Sequence, residues 1–157
     1  MTTHTVRAEP LTEKGFAPFG QVIAAGDMEM ELRGDEVFHL NVLHYERRPL
    51  RCDHLNRHHR ATQALVALAG KPTLLVVAPP EPDFASPEDL ETVRAFVCDG
   101  SAGVNLGLHV WHWGPYPLMD HLTDHVDLVN VQGRFFATDN EVAHLERDLG
   151  TVVEVLL

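Results

Sequence analysis

The chain has 157 residues, with 12 lysines and arginines against 23 aspartates and glutamates, so its formal net charge is −11 with histidine neutral. Its 45% of hydrophobic residues is enough for a folded core and argues against a disordered protein. The negative charge disfavours nucleic acid and anionic membranes as partners. We therefore expect a single folded domain over residues 1–157.

Compartment signals in the sequence point to the cytoplasm. No segment has the roughly 18 consecutive apolar residues of a membrane span, and residues 1–7 lack the apolar core of a signal peptide. Cys52 and Cys98 lie far apart and form no Cys-x-x-Cys pair, which favours reduced structural thiols. Histidine is the unusual component of the composition, with 11 residues against 12 lysines and arginines.

Short strand-forming segments dominate the chain. Two apolar runs, 63–68 and 73–77, are separated by Gly70-Lys71-Pro72, and we expect them to pair as an antiparallel hairpin. Further strands are predicted at 21–24, 37–45, 95–98, 109–113, 127–131 and 151–157. The last of these is an apolar tail that we expect to form an edge strand in need of a cover or a partner.

Helix signals are few, and each marks a short helix. A helix in 11–20 is capped by Thr12, and a second in 86–94 begins at Ser86-Pro87. Residues 138–141 read as a capping box for a third helix, which ends at Gly150. The polar segment 25–36 indicates a surface loop, and 100–105 indicates a tight turn. Many short strands with few helices predict a mainly β protein, an antiparallel barrel or sandwich.

The densest polar cluster covers residues 53–63, just before an apolar strand. In an extended segment His54, Asn56 and His58 face the same side. Two neutral imidazoles with side-chain carbonyl oxygens are adequate ligands for a first-row divalent metal ion. A solvated strand edge would explain the same residues equally well.

A second cluster ends in His109-Val-Trp-His112-Trp113. Because His109 and His112 are three residues apart, they face opposite sides of a regular strand, and one of them is expected outside any shared site. The two tryptophans share a face, for which core packing is the favoured role. His121 and His125 have the spacing of a helical metal site, but the residues before them indicate a loop, and solvation is the favoured explanation there.

Several segments resemble the ureidoglycolate lyase family. The resemblance is carried by Phe16-Ala-Pro-Phe-Gly-Gln-Val-Ile23, Thr62-Gln-Ala64, Gly103-Val-Asn105 and Val110-Trp-His112. The chain also resembles the first cupin motif in the spacing of Asn56-x-His58-x4-Gln63-x6-Gly70. His112 is similar to the histidine of the second cupin motif. The resemblance implies a cupin-like antiparallel β-barrel of the jelly-roll type and a homodimer. It also implies release of urea from ureidoglycolate to leave glyoxylate, a step of purine catabolism.

These observations together define a candidate site for a small acid substrate. The candidate catalytic residues are Asn56, His58, Gln63 and His112. The candidate substrate-binding residues are Arg57, Asn105, His109 and Trp111. A divalent ion (zinc, nickel, manganese or iron) is expected on His54, His58, Gln63 and His112.

Differences from the family keep two other functions open. Family members usually carry Glu-Arg-His where this chain has Asn56-Arg57-His58, and a second histidine where Trp113 stands. One alternative is a metal-dependent cupin oxygenase or isomerase, which would hold metal without releasing urea. The other is a barrel that binds a small ligand without metal or turnover.

Overall fold

A computed structural model describes residues 1–118 and 125–157. The strands are β1 Thr2–Arg7, β2 Glu9–Pro10, β3 Gly20–Ile23, β4 Phe38–Glu46, β5 Arg51–Cys52, β6 His54–His58, β7 Gln63–Ala67, β8 Thr73–Ala78, β9 Arg94–Cys98, β10 Gly103–Leu106, β11 Trp111–Pro117, β12 His125–Gly133, β13 Asn140–His144 and β14 Thr151–Leu156. The helices are α1 Glu13–Phe16 and α2 Leu145–Leu149, with 3-10 turns at Leu68–Gly70 and Pro87–Thr92.

The described strands form three sheets stacked as layers. A six-stranded sheet in the order β13-β6-β11-β8-β9-β2 lies between a five-stranded sheet, β3-β10-β7-β12-β4, and a three-stranded sheet, β1-β14-β5. On β8, Leu75 and Val77 belong to the core shared with the five-stranded sheet, while Leu74 and Val76 belong to the core shared with the three-stranded sheet. Because both of its faces are covered, β8 is a continuous apolar run.

The predicted mainly β fold is confirmed as a cupin-like β-sandwich with short helices. The first predicted helix is present as α1, and Thr12 caps it by accepting a hydrogen bond of 3.0 Å from the Gly15 amide. The second is present only as the 3-10 turn Pro87–Thr92. None of the described helices combines the length and apolarity required to cross a membrane.

The predicted hairpin between 63–68 and 73–77 is wrong. β7 pairs with β10 and β12, whereas β8 pairs with β9 and β11, so the two strands belong to different sheets. The turn at Leu68–Gly70, with Ala69 and Gly70 both at positive φ, carries the chain from one layer to the next. A turn signal marks a change of chain direction, but it does not determine which strand becomes the partner.

Two further predictions near the carboxyl end are wrong. Residues 138–141 do not cap a helix, because 140–144 form β13, which pairs along its full length with β6. The helix begins only at Leu145 and ends, as predicted, at Gly150. The tail is not an edge strand either, since β14 lies between β1 and β5.

Two local predictions in the middle of the chain need adjustment. The tight turn expected over 100–105 ends before Gly103, where β10 begins. His125 lies on β12. The loop predicted before His121 is wrong over residues 115–117, which belong to β11. His121 lies outside the described residues.

Candidate active site

A polar cavity of about 260 Å³ opens between the five-stranded and six-stranded sheets. It is lined by Asn41, Leu43, Tyr45, Asn56, His58, Gln63, His112, Trp113, Gly114, Gln132, Phe136 and Asn140. All four candidate catalytic residues are in this lining. A larger cavity of about 600 Å³, beside Arg48 and Leu157, has no imidazole in its described lining and offers no comparable chemistry.

Strand register brings the two histidine segments together. Asn56 on β6 is paired with His112 on β11, and His58 is paired with Asn140 on β13. Cross-strand partners point to the same face of a sheet, so these side chains converge on the cavity. The ring centroids of His58 and His112 are 5.4 Å apart.

His112 is a neutral imidazole at physiological pH. Its side chain is buried, and burial beside His58 lowers its pKa to about 3. Nδ1 lies 3.1 Å from the carbonyl oxygen of Val110. Because a carbonyl can only accept, we assign the proton to Nδ1, which leaves the lone pair on Nε2.

His58 and Gln63 each present a buried polar atom for which the described residues offer no hydrogen-bond partner. Burial also lowers the pKa of His58, and its Nδ1 has no hydrogen-bond partner among the described residues. The Gln63 side-chain nitrogen donates to Asn130 at 2.8 Å, while Oε1 finds no partner within the described part of the chain. Buried polar atoms without partners are costly to folding, so such atoms in a cavity indicate a place for a ligand.

Carboxamide side chains supply most of the remaining polar lining. The five in the lining are Asn41, Asn56, Gln63, Gln132 and Asn140. Asn140 donates to the Asn56 side-chain oxygen at 3.2 Å, and Asn130 donates to that of Asn41 at 2.8 Å. The described lining contains no aspartate, glutamate, lysine or arginine, so its hydrogen-bonding capacity is uncharged apart from the two imidazoles.

The structure places Arg57 and Trp111 away from the cavity. Arg57 points to the other face of β6, where it forms a bidentate pair with Glu141 at 2.8 and 2.9 Å. Its guanidinium stacks 4.1 Å from the ring centre of Trp111. Trp111 is buried in the core towards the three-stranded sheet and donates to the Pro82 carbonyl. Both side chains are therefore occupied in packing.

The other three candidate residues also lie outside the lining. His54 forms a hydrogen bond with Asp53, with 2.5 Å between Nδ1 and Oδ1, and its ring packs against that of Trp113 outside the cavity lining. Asn105 points to the face of β10 opposite Val104 and Leu106, away from the core between the six-stranded and five-stranded sheets. Its side-chain nitrogen donates to the Gln21 side-chain oxygen and to the Glu29 carbonyl. His109 is exposed in the turn before β11 and has a positive φ of 66°. The expected four-residue metal set is thus reduced to His58, Gln63 and His112.

Several residues on the opposite wall of the cavity are not among the residues predicted from the sequence. Asn41 and Tyr45 lie on β4, and Gln132 lies on β12. The available signal was strand alternation, because 41, 43 and 45 share one face, and a polar residue on an inward face marks a site. That face is recognisable as inward only when the facing sheet is known.

Comparison with known proteins agrees with this geometry. The model of the ureidoglycolate lyase family matches residues 28–150, a range that includes the whole cavity lining. The chain belongs to the ureidoglycolate lyase family. A ureidoglycolate lyase of Azotobacter vinelandii is 32% identical over 85% of this chain and 93% of its own length. Another, from Pseudomonas aeruginosa, is 36% identical over 69% of this chain and 73% of its own length.

A third relative, ureidoglycolate lyase 1 of Rhizobium meliloti, is 32% identical over 74% of this chain and 76% of its own length. The family resemblance drawn from the sequence motifs is therefore confirmed. These relatives are lyases, and the chain is accordingly placed among enzymes.

Because His112 is buried in its neutral form, we expect the free energy of unfolding to fall in acid. The unfolded state regains an ordinary histidine pKa near 6.5, so it takes up a proton that folded His112, with a pKa of about 3, does not. Stability should fall as the pH falls through that window. In His112→Asn, we expect the pH dependence of the unfolding free energy between about pH 6 and 4 to be less steep by about 1.4 kcal/mol per pH unit. Urea denaturation at each pH measures this, and equal slopes would contradict the assignment.

Proposed function

We propose that this chain is a ureidoglycolate lyase that cleaves the bond between the carbinol carbon and the ureido nitrogen, giving urea and glyoxylate. The observation that carries the proposal is the pair of neutral imidazoles, His58 and His112, in a small cavity ringed by carboxamides. The names of the family and of its relatives support the same reaction.

The reaction needs one proton removed and one supplied. The hydroxyl of the carbinol carbon loses its proton, its electrons form the carbonyl of glyoxylate, and the bond to nitrogen breaks. The departing nitrogen then takes up a proton to become urea. Because the oxygen and the nitrogen are bonded to the same carbon, one imidazole can serve both atoms in turn.

His58 is the better candidate for moving this proton. Burial lowers its pKa, but that of His112 falls to about 3, which makes His112 the weaker base. The Nε2 lone pair of His112 suits it to orient the substrate hydroxyl by accepting its hydrogen bond. In this assignment His58 shuttles the proton and His112 positions the reacting oxygen.

The carboxamide lining is complementary to the ureido group. A ureido group has N–H donors and one carbonyl acceptor, and carboxamides such as Asn56, Gln132 and Asn140 supply both acceptors and donors. A cavity of about 260 Å³ accommodates a substrate of this small size. Uncharged partners can thus recognise the urea half of the molecule while leaving both imidazoles neutral.

We also propose a divalent metal ion in this cavity. The donor set fits, since His58 Nδ1, His112 Nε2 and Gln63 Oε1 offer two imidazole nitrogens and one carbonyl oxygen, and two of these atoms are buried without a protein partner among the described residues. Zinc, nickel, manganese and iron all accept such donors. When bound, the ion would occupy these lone pairs in place of the hydrogen bonds assigned above to His58 and His112. It would then supply a Lewis acid at the carbinol oxygen, which lowers the pKa of the hydroxyl, and a counter-charge for the substrate carboxylate.

Loss of either cavity imidazole should remove most of the urea release. We expect His58→Asn and His112→Asn each to lower kcat/KM by at least about 100-fold, the usual range for a lost acid–base group. The matched control is His109→Asn, which changes an imidazole outside the cavity to a residue that tolerates positive φ, and it should stay within about twofold of the wild type. Urea release from racemic ureidoglycolate is the measurement. No release by the wild type, or full activity in both cavity variants, would contradict the proposal.

Metal dependence is tested separately by elemental analysis and chelation. We expect His112→Asn to contain one equivalent of metal per chain less than the wild type, and we expect urea release to fall on chelation and to return when the ion is restored. Such a His112-dependent equivalent without urea release by the wild type would favour a different cupin reaction. If urea release is unchanged after complete removal of metal, the proposed metal ion is refuted, but the proposed lyase reaction is not.

We further propose that the enzyme is a cytoplasmic homodimer of purine catabolism. Cys52 and Cys98 are free and buried, which accords with a reducing compartment. Strand β4 is at the edge of its sheet, and on its outer face Leu40 is 63% and Val42 53% exposed. An exposed apolar edge of this kind suits pairing with a second copy.

The dimer prediction concerns this outer face. A charge at its centre, in Val42→Glu, should convert dimer to monomer because an unpaired carboxylate would be buried at the interface. Leu157→Glu, at a residue that is 66% exposed and follows β14 of the three-stranded sheet, is the control and should remain dimeric. Sedimentation of each protein gives the answer, and a monomeric wild type would refute the proposal.

A further inference from the structure

Three metal-ligating side chains meet on the outer face of the β4–β12 pair. These strands are antiparallel partners over nine residue pairs, in which Asp127 is directly opposite His44. His125 is two residues before Asp127 on β12, so it projects from the same face. Strand geometry thus brings two imidazoles and one carboxylate together from two strands.

The three groups are close enough to share one ion. His44 Nδ1 lies 2.7 Å from Asp127 Oδ1, and His125 Nε2 lies 3.8 Å from Asp127 Oδ2. The two imidazole rings stack with their centroids 4.9 Å apart and an interplanar angle of 27°. One ligand atom from each residue lies within 4.8 Å of the others.

This cluster is separate from the cavity. Leu43 and Tyr45, the neighbours of His44 on β4, point to the other face of the strand and line the cavity. The cluster therefore lies behind the cavity wall and has none of the lining residues among its ligands. The pKa of Asp127 is lowered by its hydrogen bond to His44 and by the charges of His44, His125 and Lys71, so the carboxylate is anionic at neutral pH.

We propose that His44, His125 and Asp127 bind one divalent transition-metal ion, with zinc the best match. Two imidazole nitrogens and one carboxylate oxygen are ordinary zinc ligands, and a tetrahedral ion keeps its fourth position for water. In a single protomer the site lies partly in solvent, two residues along β4 from Val42 on the face proposed to pair with a second copy, so the ion can enter without opening the sandwich. No ligand comes from His58 or His112, so the site does not depend on the proposed lyase chemistry.

Binding would join the edge strand to its neighbour. β4 has β12 as its only partner in the five-stranded sheet, as the described strands are ordered. An ion ligated by both strands would stabilise the folded protein, because a ligand that binds only the folded state shifts the unfolding equilibrium. Since β4 carries Asn41 and Tyr45 on its inner face, this also holds one wall of the cavity in place.

The competing explanation is a hydrogen-bonded ion pair between Asp127 and protonated His44. Such a pair needs no metal and is weak when exposed. The two explanations predict different responses to zinc. A protonated imidazole does not bind the ion, so a protein held by the ion pair alone would not be stabilised when zinc is added.

The test is zinc titration of the full chain at neutral pH, followed by calorimetry and by thermal unfolding. The titrations use His112→Asn as the background, so that the cavity does not contribute a site. We expect one equivalent bound and a higher Tm with zinc. Adding Asp127→Asn, which keeps the side-chain shape, or His44→Asn should weaken zinc binding by at least about tenfold, because even outer-shell substitutions cost about 10–100-fold. Adding His4→Asn, an imidazole on β1, is the matched control and should leave the affinity unchanged.

The outcomes separate the possibilities. Absence of binding by the background protein, or equal zinc affinity with Asp127→Asn and His4→Asn, would overturn the proposal. Circular dichroism without zinc checks that each variant is folded, and if His112→Asn does not fold, His58→Asn is the background. Cobalt gives an independent spectroscopic reading, since a tetrahedral histidine–carboxylate site should show visible absorption that Asp127→Asn lacks. Because urea release is not the readout, failure of this proposal is distinct from failure of the proposed lyase.

Discussion

Burial of the six-stranded sheet on both faces is the constraint on which the rest of the structure depends. One of its two central strands, β8, is apolar from Leu74 to Ala78, and it meets a core on each side. A polar side chain on another strand of this sheet must therefore find a partner or face a cavity. Arg57 finds Glu141 on one face, while Asn56 and His58 face the cavity on the other.

The chemistry proposed for the cavity follows from the same burial. Water is largely excluded from His112, so its imidazole stays neutral, and the Val110 carbonyl selects which nitrogen keeps the proton. The facing sheet contributes buried amides, of which Asn130 bridges Gln63 and Asn41. This bridge orients the Gln63 side chain, so that its oxygen, which has no partner among residues 1–118 and 125–157, is held in place before any ligand arrives. A preorganised polar wall of this kind loses little entropy when it binds a small molecule.

Sequence alone could predict the part of the site that depends on local spacing. Alternation along β6 put His54, Asn56 and His58 on one face, and the cupin-like spacing added Gln63 and His112. All of these except His54 line the cavity. The same alternation puts Arg57 on the opposite face, where the structure has it paired with Glu141 and outside the cavity in which it was a candidate to bind substrate.

The failures concern pairing between distant segments. Nothing within 63–77 shows that its two strands belong to different sheets, and the capping signal at 138–141 is overridden because β6, more than 80 residues away, takes those residues as a strand partner. His109 and Asn105 follow motif segments but point elsewhere, since a turn with positive φ and an outward strand position determine their directions. Alternation within a segment predicts which side chains share a face of a strand, but pairing between distant segments determines which faces come together in the fold.

The position of β14 between β1 and β5 has a consequence for how the protein is made. Thr2 is the register partner of Thr151, and Val6 that of Val155, so the three-stranded layer joins segments from opposite ends of the sequence. During synthesis the outer face of the six-stranded sheet, with Leu55 and Val76, lacks the cover of β14 until that strand has been made and has paired with β1. Closure of this layer depends on non-local contacts, which form slowly, so this apolar face is open to aggregation until they form.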